Sequence, residues 1–301
     1  MTAPPDLVIL GGRAEGWHGL QLRLAMGHLG LSVERVDFNQ CSFSIGQGGA
    51  GVRLGERPLL PGAVLVRSIP AGTFEQVTLR LGLLHAQEAL GVAVVNTARA
   101  IERCVDKSTT SFTLGHAGLP TPPTWVVETQ PQAQALVQEA ATGGHQLVLK
   151  PLFGAQGRGL RLLAGPDELP EPDEVGGVYY LQRFIRPRDG RWRDFRVFVI
   201  GGTAVAAMMR LGASWITNIG QGGTPLPARA EGRLAELAVA AAAAVGAAHA
   251  GVDLIEDADG SLLVLEVNSM PAWQGLQSVA EVDIAACLAR HLANCLRRRH
   301  A

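Results

Sequence analysis

The chain has 301 residues, of which 47% are hydrophobic and 18% charged, so it carries enough apolar side chains for a packed core and is not expected to be disordered. Its 26 basic and 27 acidic residues give a formal charge of −1 without a long basic stripe, so nucleic acid is not an expected partner. Neither a signal peptide nor a membrane span is recognisable, and the four cysteines lack metal-ligand spacing. We therefore expect a cytoplasmic protein with reduced thiols and no membrane partner.

The first part of the chain predicts a small α/β unit. A strand, a turn and a helix over residues 6–29 come first, and further strands are expected at 32–38, 63–67 and 92–95. A long helix over 73–90 precedes the last of these strands. The pattern changes at residue 98, which places a domain boundary near Asn96.

The rest of the chain predicts two further regions with both helices and strands. The first is expected to contain helices over 107–117 and 131–142 and strands over 124–127, 146–150, 160–163 and 178–185. The second is expected to contain strands over 195–200 and 204–210 around a Gly201-Gly202 turn, a helix over 226–250, a hairpin of 251–256 with 262–267, and a closing helix over 284–298. This second region is therefore partly antiparallel.

The segment Gly46–Gly51 matches the pattern GxGxxG, which is typical of dinucleotide-binding sites. That motif works only where a strand turns directly into a helix whose N-terminus meets the pyrophosphate. Residues 52–58 do not begin a helix, so we interpret the segment as a hairpin or flexible loop. A dehydrogenase that uses this loop is kept as an alternative, which a test with NAD(P)H would decide.

Residues 146–159 predict a phosphate-binding loop. A buried strand ends at Lys150 and is followed by a glycine-rich segment, whose backbone N–H groups are free to surround an anion. The segment lacks the GK[ST] of a P-loop and leads into a strand instead of a helix, so it is a different design. The alternative is a purely structural loop.

Asp253, Glu266 and Asn268 predict a metal site. Glu266 and Asn268 are two apart on one strand and so share a face, while Asp253 lies on the neighbouring predicted strand. Two carboxylates on an otherwise apolar strand pair require a cation, and a set of oxygen ligands favours Mg2+ held with nucleotide phosphates. Three polar residues on a solvated face are the alternative.

With these features the chain resembles the ATP-grasp carboxylate–amine ligases, and among them the RimK-like amino-acid ligases that attach glutamate to a protein or a cofactor. The resemblance covers roughly residues 60–295. It rests on motifs in a fixed order: Asp106-Lys107, Lys150-Pro151 with its glycine loop, Gln182–Ile185, Asp194–Arg196, Arg210 and Asn218 with Gly222-Gly223, Gly251–Asp253, and Glu266–Pro271.

The resemblance implies an α/β protein with the ATP-grasp fold. An N-terminal Rossmann-like pre-ATP-grasp domain would occupy residues 1–96, and two α+β lobes would grip ATP. The ATP-grasp N-lobe with its central lid subdomain would occupy 97–186, and the C-lobe with the metal site 187–301.

The resemblance also implies roles for individual residues. Asp253, Glu266 and Asn268 would hold two Mg2+ ions, and Mn2+ is compatible with the same ligands. Arg210 and Asn218 would face the transferred γ-phosphate and the reacting carboxylate as catalytic residues. The residues expected to bind ATP are Lys107, Lys150, Gly154, Gln156, Gly157, Gly159, Gln182, Arg183, Phe184, Ile185, Asp194 and Arg196.

The implied activity is ATP-dependent formation of an amide bond through an acyl phosphate. The partners would be ATP, an amino acid such as glutamate, and a carboxylate acceptor that is a protein C-terminus or a cofactor, with residues 271–277 favouring a tetrahydromethanopterin-like cofactor. Ile216 and Gly220-Gln221 depart from arginine and His-Arg in the family, so substrate recognition is expected to differ. An ATP-binding regulatory protein without turnover is the alternative, and the sequence leaves a homo-oligomer open.

Overall fold

A computed structural model describes residues 4–12, 16–46, 49–55, 60–154 and 156–300, with side chains to residue 297. The N-terminal region is a parallel sheet with a helix on each face. Its elements are β1 (Leu7–Gly11), α1 (Trp17–His28), β2 (Val33–Asp37), β3 (Cys41–Gly46), β4 (Gly49–Leu54), β5 (Ala63–Val66), α2 (Phe74–Ala89) and β6 (Ala93–Val95).

The parallel sheet has the strand order β2-β1-β5-β6. Its strands are apolar on both faces because helices cover both: Leu7 and Leu65 pack with Leu22 of α1, while Leu10 and Val64 pack with α2. The strand order reverses between β1 and β5, so the carboxyl ends of these two strands form the crevice where such sheets bind ligands.

The GxGxxG segment forms a hairpin. Strands β3 and β4 pair antiparallel from Cys41 with Leu54 to Gly46 with Gly49, and residues 47 and 48 at the tip lie outside the described residues. A strand, not a helix, follows the glycines, so the geometry of a dinucleotide-binding turn is absent here.

The middle region contains α3 (Ala98–Val105), α4 (Lys107–His116), β7 (Thr124–Val127), α5 (Gln130–Thr142), β8 (Leu147–Lys150), β9 (Arg161–Leu163) and β10 (Tyr179–Arg183). The strands form an antiparallel sheet in the order β7-β10-β8-β9, with α5 packed against it. Helix α4 begins at Lys107 because the Asp106 carboxylate accepts a hydrogen bond from the Ser108 N–H at 2.8 Å. Helix α3 was not predicted.

The C-terminal region contains β11 (Arg193–Ile200), β12 (Thr203–Leu211), β13 (Thr224–Ala228), α6 (Gly232–Val245), β14 (His249–Glu256), β15 (Leu262–Asn268), α7 (Gln274–Gln277) and α8 (Ile284–His300). The strands form a five-stranded antiparallel sheet in the order β13-β12-β11-β14-β15. Helix α6 covers one face of this sheet, and α8 returns to pack on α1.

The predicted helix over 226–250 was wrong at both ends. Its first residues belong to β13, whose Pro225 and Pro227 are tolerated because β13 is an edge strand and needs few N–H donors. Helix α6 ends at Val245, where Gly246 adopts a φ of +78° that a residue with a side chain rarely adopts. The chain then enters β14 at His249.

The N-terminal and C-terminal sheets share one core. Leu65 of β5, Phe198 of β11, Met208 of β12 and Leu288 of α8 belong to a single buried cluster. Asn96 adds polar contacts, since its Nδ2 donates to the carbonyls of His249 and Ser269 at 2.8 and 2.7 Å. The N-terminal region and the five-stranded sheet are thus held together by a continuous core, and the boundaries near residues 96 and 186 stay predictions.

No helix among the described residues has the length and apolar character that crossing a bilayer requires.

Candidate active site

A cavity of about 450 Å³ lies between the middle sheet and the five-stranded sheet. With one exception, every residue that the sequence predicted for the site lines it: Lys107, Lys150, Gly154, Gln156, Gly157, Gln182, Arg183, Phe184, Ile185, Asp194, Arg196, Arg210, Asn218, Asp253, Glu266 and Asn268. The exception is Gly159, whose φ of +73° turns the glycine loop against the ring of Pro151.

Charged residues form a row across one face of the five-stranded sheet. Arg210 of β12 pairs with Asp194 of β11, and two residues further along β11 Arg196 pairs with Asp253 of β14. Asp253 in turn lies opposite Glu266 of β15. Because side chains alternate along a strand, these cross-strand pairs bring the charges together on the cavity side.

Bidentate ion pairs fix this row. Arg196 donates from Nε and Nη2 to the two oxygens of Asp253, each at 2.7 Å. Arg210 donates from Nε to Asp194 Oδ1 at 2.7 Å and from Nη2 to Asp194 Oδ2, and its Nη2 also lies 3.2 Å from Asp253 Oδ2. Forked guanidinium–carboxylate pairs of this kind combine strength with fixed geometry.

The ion pairs keep Asp253 and Arg210 charged despite their burial, whereas burial raises the pKa of Asp194 although Arg210 opposes it. Burial by itself raises the pKa of the Asp253 carboxyl, but Arg196 and Arg210 outweigh it and leave that pKa below its ordinary value. The pKa of Arg210 is raised in spite of burial, because Asp253 and Asp194 both favour its charged form. Asp253 is therefore a carboxylate at neutral pH.

This geometry supplies Arg210 and Asp194 with partners inside the protein. The expectation that a buried Arg210 must meet a phosphate is weakened, since Asp194 and Asp253 already balance its charge. Both oxygens of Asp194 accept from Arg210. Direct contacts of Arg210 and Asp194 with nucleotide stay predictions.

The predicted metal ligands meet at one end of the row. Glu266 makes no hydrogen bond or ion pair with any residue that the structure describes, although it lies near enough to Lys107 and Lys150 for its charge to oppose the lowering of their pKa values by burial. Asn268 donates its Nδ2 to the Gly251 carbonyl at 3.4 Å, and its Oδ1 is not used within the described chain. Carboxylate and amide oxygens without sulfur or imidazole fit Mg2+.

The chain has only two lysines, and both line the cavity. Lys107 donates from Nζ to the Gly154 carbonyl at 2.8 Å, and Lys150 donates to Gln182 Oε1 at 2.6 Å. Burial lowers the pKa of Lys107, and it lowers the pKa of Lys150 to about 8. A polyphosphate between these two cations would restore their ordinary preference for the charged form.

The glycine loop is docked against the opposite wall of the cavity. Gln221 donates from Nε2 to the Gln156 carbonyl at 2.8 Å, and Gly157 sits so close to the Asn218 amide that a Cβ there would overlap its Oδ1. Gly157 also has a φ of +68°. The loop therefore closes the cavity through contacts at both sides, Lys107 and the 218–221 turn.

Sequence reasoning missed an aromatic wall. The rings of Trp192 and Trp215 each lie 5.7 Å from the ring of Phe184, and all three line the cavity. The two tryptophans lie just before β11 and in the turn after β12, where no periodic pattern marks them. Their position beside predicted motif residues was the available signal.

Comparison with known proteins identifies a family for this chain. Residues 104–292 match the RimK-like ATP-grasp domain family, and this span is more than half of the chain. The chain belongs to the RimK-like ATP-grasp family. It is an ATP-dependent ligase that forms carbon–nitrogen bonds, as the resemblance in sequence implied.

Two curated relatives are similar over most of the chain. A tetrahydromethanopterin:alpha-L-glutamate ligase of Methanosarcina acetivorans is 32% identical over 78% of this chain and 80% of its own length. A probable alpha-L-glutamate ligase of Xanthomonas axonopodis pv. citri is 33% identical over 89% of this chain and 90% of its own length.

Solved structures confirm the ATP-grasp fold. The ATP-grasp ligase PsnB in complex with a minimal precursor has a TM-score of 0.75 at 22% identity, covering 97% of this chain and 100% of PsnB. The D-cycloserine synthetase DcsG has a TM-score of 0.69 at 20% identity, covering 96% and 99%. ATP-grasp ligases use ATP and Mg2+, and PsnB has also been solved with Mg and ADP.

Proposed function

We propose that this chain joins the amine of glutamate or a similar amino acid to a carboxylate of an acceptor, which is a tetrahydromethanopterin-like cofactor or a protein C-terminus. The observation that carries the proposal is a single cavity in which Asp253, Glu266 and Asn268 face Lys107 and Lys150. The names of the similar ligases of Methanosarcina acetivorans and Xanthomonas support glutamate as the amino acid.

The cavity residues have separate roles in binding ATP and in transferring its γ-phosphate. Lys107 and Lys150 neutralise the phosphates of ATP, while the backbone of the 154–159 segment surrounds them. Asp253, Glu266 and Asn268 would hold two Mg2+ ions, which would supply positive charge to offset the negative charge that develops during phosphoryl transfer. Phe184 and Ile185, at the end of β10, contact the adenine.

Activation makes an unfavourable condensation possible. An oxygen of the acceptor carboxylate attacks the γ-phosphorus of ATP, ADP leaves, and an acyl phosphate results. The amine nitrogen then attacks the acyl carbon, phosphate leaves, and the amine loses a proton as the amide forms. Arg196 and Arg210 hold Asp253 in position, and the row contributes fixed charge that needs no reorganisation during the reaction.

Closure of the glycine loop protects the intermediate. An acyl phosphate in open solvent would be hydrolysed, so water must be excluded before the amine attacks. The contacts of Gly154 with Lys107 and of Gln156 with Gln221 close the loop across the cavity. Asn218 lies under this loop beside Gly157, where it can contact the reacting groups.

Mass spectrometry of products tests the proposal. Purified protein is incubated with Mg-ATP, L-glutamate and either tetrahydromethanopterin or a panel of peptides, and the expected product is an acceptor heavier by one or more glutamate residues. Stoichiometric ADP and phosphate should accompany it. Tight ADP binding without any product from an amino-acid panel would favour the regulatory alternative. The cytoplasmic location and a homo-oligomeric state remain predictions.

A further inference from the structure

Arg67 stands at the crevice of the parallel sheet, next to the active-site cavity. It follows the last residue of β5, and its backbone N–H donates to the Leu10 carbonyl of β1 at 2.8 Å. The carboxyl ends of these two strands are where open α/β sheets bind ligands. The next residue, Ser68, lines the cavity, as does Ala272, which precedes Trp273.

The guanidinium of Arg67 forms no ion pair with any residue that the structure describes. It lies 4.6 Å from the centre of the Trp273 ring, and its Nη1 is buried without a hydrogen-bond partner among the described residues. Burial lowers the pKa of Arg67 to about 10, and no carboxylate of the described chain opposes that effect. An arginine cannot shed its charge at neutral pH, so within the described residues no negative charge balances this cation.

Arg80, in the same region, is an arginine whose side chain is hydrogen-bonded within the protein. It is more fully buried than Arg67, which is half-buried, but its Nη1 donates to the Pro70 carbonyl at 2.6 Å and its Nη2 to Asn39 Oδ1 at 3.3 Å. An arginine with a purely structural role is expected to be satisfied in this way.

The titratable groups near Arg67 do not neutralise it. Burial and the charge of Arg67 lower the pKa of His18 to about 4, and its Nε2 accepts from the N–H groups of Trp273 at 3.0 Å and Gln274 at 3.2 Å. Burial, Arg67 and His291 lower the pKa of His249 to about 3, and neither ring nitrogen of His249 has a hydrogen-bond partner within the described chain. Both imidazoles are neutral at pH 7, so neither adds a charge beside the Arg67 guanidinium and the Trp273 indole.

We propose that Arg67 binds a carboxylate of a substrate, in a subsite next to Ser68 and the 270–272 segment, which line the edge of the cavity. The inference rests on the proposed function and extends it by giving that reaction a carboxylate-recognition site outside the phosphate region. A forked guanidinium matches a carboxylate, and Trp273 fixes its plane. The carboxylate belongs either to the incoming amino acid or to the acceptor, and the two sources are separated below.

The proposal makes an unusual prediction for stability. Replacing an uncompensated buried charge by an apolar side chain of similar length is often neutral or stabilising. Arg67→Met should therefore leave the melting temperature of the ligand-free protein unchanged or raise it. Arg80→Met, which breaks satisfied hydrogen bonds, should lower it and serves as the matched control.

Calorimetry tests the subsite with defined probes. In the presence of Mg-ADP, the wild type and both variants are titrated with L-glutamate, and separately with glutarate and tetrahydromethanopterin. For at least one probe, Arg67→Met should bind at least tenfold more weakly than the wild type, while Arg80→Met binds normally and the ADP affinity of all three is equal. Weaker binding of L-glutamate and glutarate by Arg67→Met would assign the carboxylate to the incoming amino acid. Weaker binding of tetrahydromethanopterin would assign it to the acceptor.

Two results would overturn the subsite. The first is unchanged affinity of Arg67→Met for every probe, whatever its melting temperature, and a lower melting temperature in addition would make Arg67 a structural residue. The second is a wild type that binds ADP but none of the carboxylates. Neither result depends on product formation, so failure of the ligase proposal, seen by mass spectrometry, stays distinguishable.

Discussion

Arg196 and Asp253 face each other across β11 and β14 and form a forked ion pair with both distances at 2.7 Å. Arg210 approaches the same carboxylate to 3.2 Å. Asp253 is therefore at once a predicted metal ligand and the central anion of a buried charge row. Glu266, directly opposite on β15, makes no ion pair within the described chain. Substitutions at these two carboxylates should consequently have different effects.

Glu266→Gln should abolish Mg-dependent ADP formation and leave the protein folded. The substitution removes a charged metal ligand without breaking a hydrogen bond of the described structure, so the free energy of unfolding should change by less than about 1 kcal/mol. ADP release and urea unfolding are the measurements. Glu256→Gln, on the solvent side of β14 beside Arg193, is the control and should remain active. Near-normal turnover of Glu266→Gln in saturating Mg2+ would remove Glu266 from the metal site.

Asp253→Asn should both abolish the ligase activity and destabilise the folded protein. The amide cannot balance Arg196 and Arg210, and breaking a buried ion pair by removing one partner costs about 3–5 kcal/mol. Urea unfolding of the ligand-free protein measures this loss apart from catalysis. A free energy of unfolding equal to that of Glu266→Gln would show that the row contributes nothing to the fold.

Local patterns in the sequence were enough to predict that Asp253, Glu266 and Asn268 lie together, and their binding of metal stays a prediction. Glu266 and Asn268 share a face because they are two apart on a strand, and the short 257–261 turn makes β14 the neighbour of β15. The pairing of Arg196 with Asp253 could not be predicted, since the two residues are 57 positions apart and meet only through the order of strands in the sheet. The contact of Arg67 with Trp273 joins more distant regions still.

The missed elements had weaker signals of two kinds. The alanine run of α6 extended the predicted helix backwards over β13, although Pro225 and Pro227 argue for an edge strand. Helix α3 is short but amphipathic, with Ala98, Ile101 and Val105 at helical spacing, and the Thr97 hydroxyl accepts from the Ala100 N–H at 3.2 Å. Its signal was therefore present in the sequence but spans only eight residues.

Nucleotide affinity should fall as the pH rises through the range in which Lys150 loses its proton. In the free protein burial lowers the pKa of Lys150 from 10.5 to about 8, and bound phosphates should raise it, so ADP binding takes up a proton above about pH 8. For stability the sign is the reverse: the unfolded chain holds more protons between those values, so the Lys150 contribution to folding improves with rising pH.

Calorimetry of ADP binding from pH 7 to about pH 10 checks this, with Lys150→Arg as the variant that keeps its charge throughout. The ADP affinity of the wild type should fall steadily over this range, and that of Lys150→Arg should not. The chain has only two lysines, so peptide mapping after treatment with an amine-selective reagent at about pH 8 should find Lys150 modified as well as the N-terminal amine, and ATP should protect Lys150. A pH-independent wild-type affinity would mean that Lys150 does not contact the phosphates.

Gly157→Ala should impair closure of the glycine loop. Alanine is strained at a φ of +68°, and its Cβ would overlap the Asn218 amide, so the loop can no longer dock on the 218–221 turn. We expect the kcat to fall at least tenfold with ADP affinity less affected, because an open loop admits water to the acyl phosphate. ADP release uncoupled from amide formation should rise relative to the wild type.

Gly144→Ala, with a φ of +74° in an exposed turn and no atom within 4 Å of the new Cβ, is the matched control for backbone strain alone. Equal coupling of ADP release to amide formation in both variants would show that docking of Gly157 on Asn218 does not protect the intermediate.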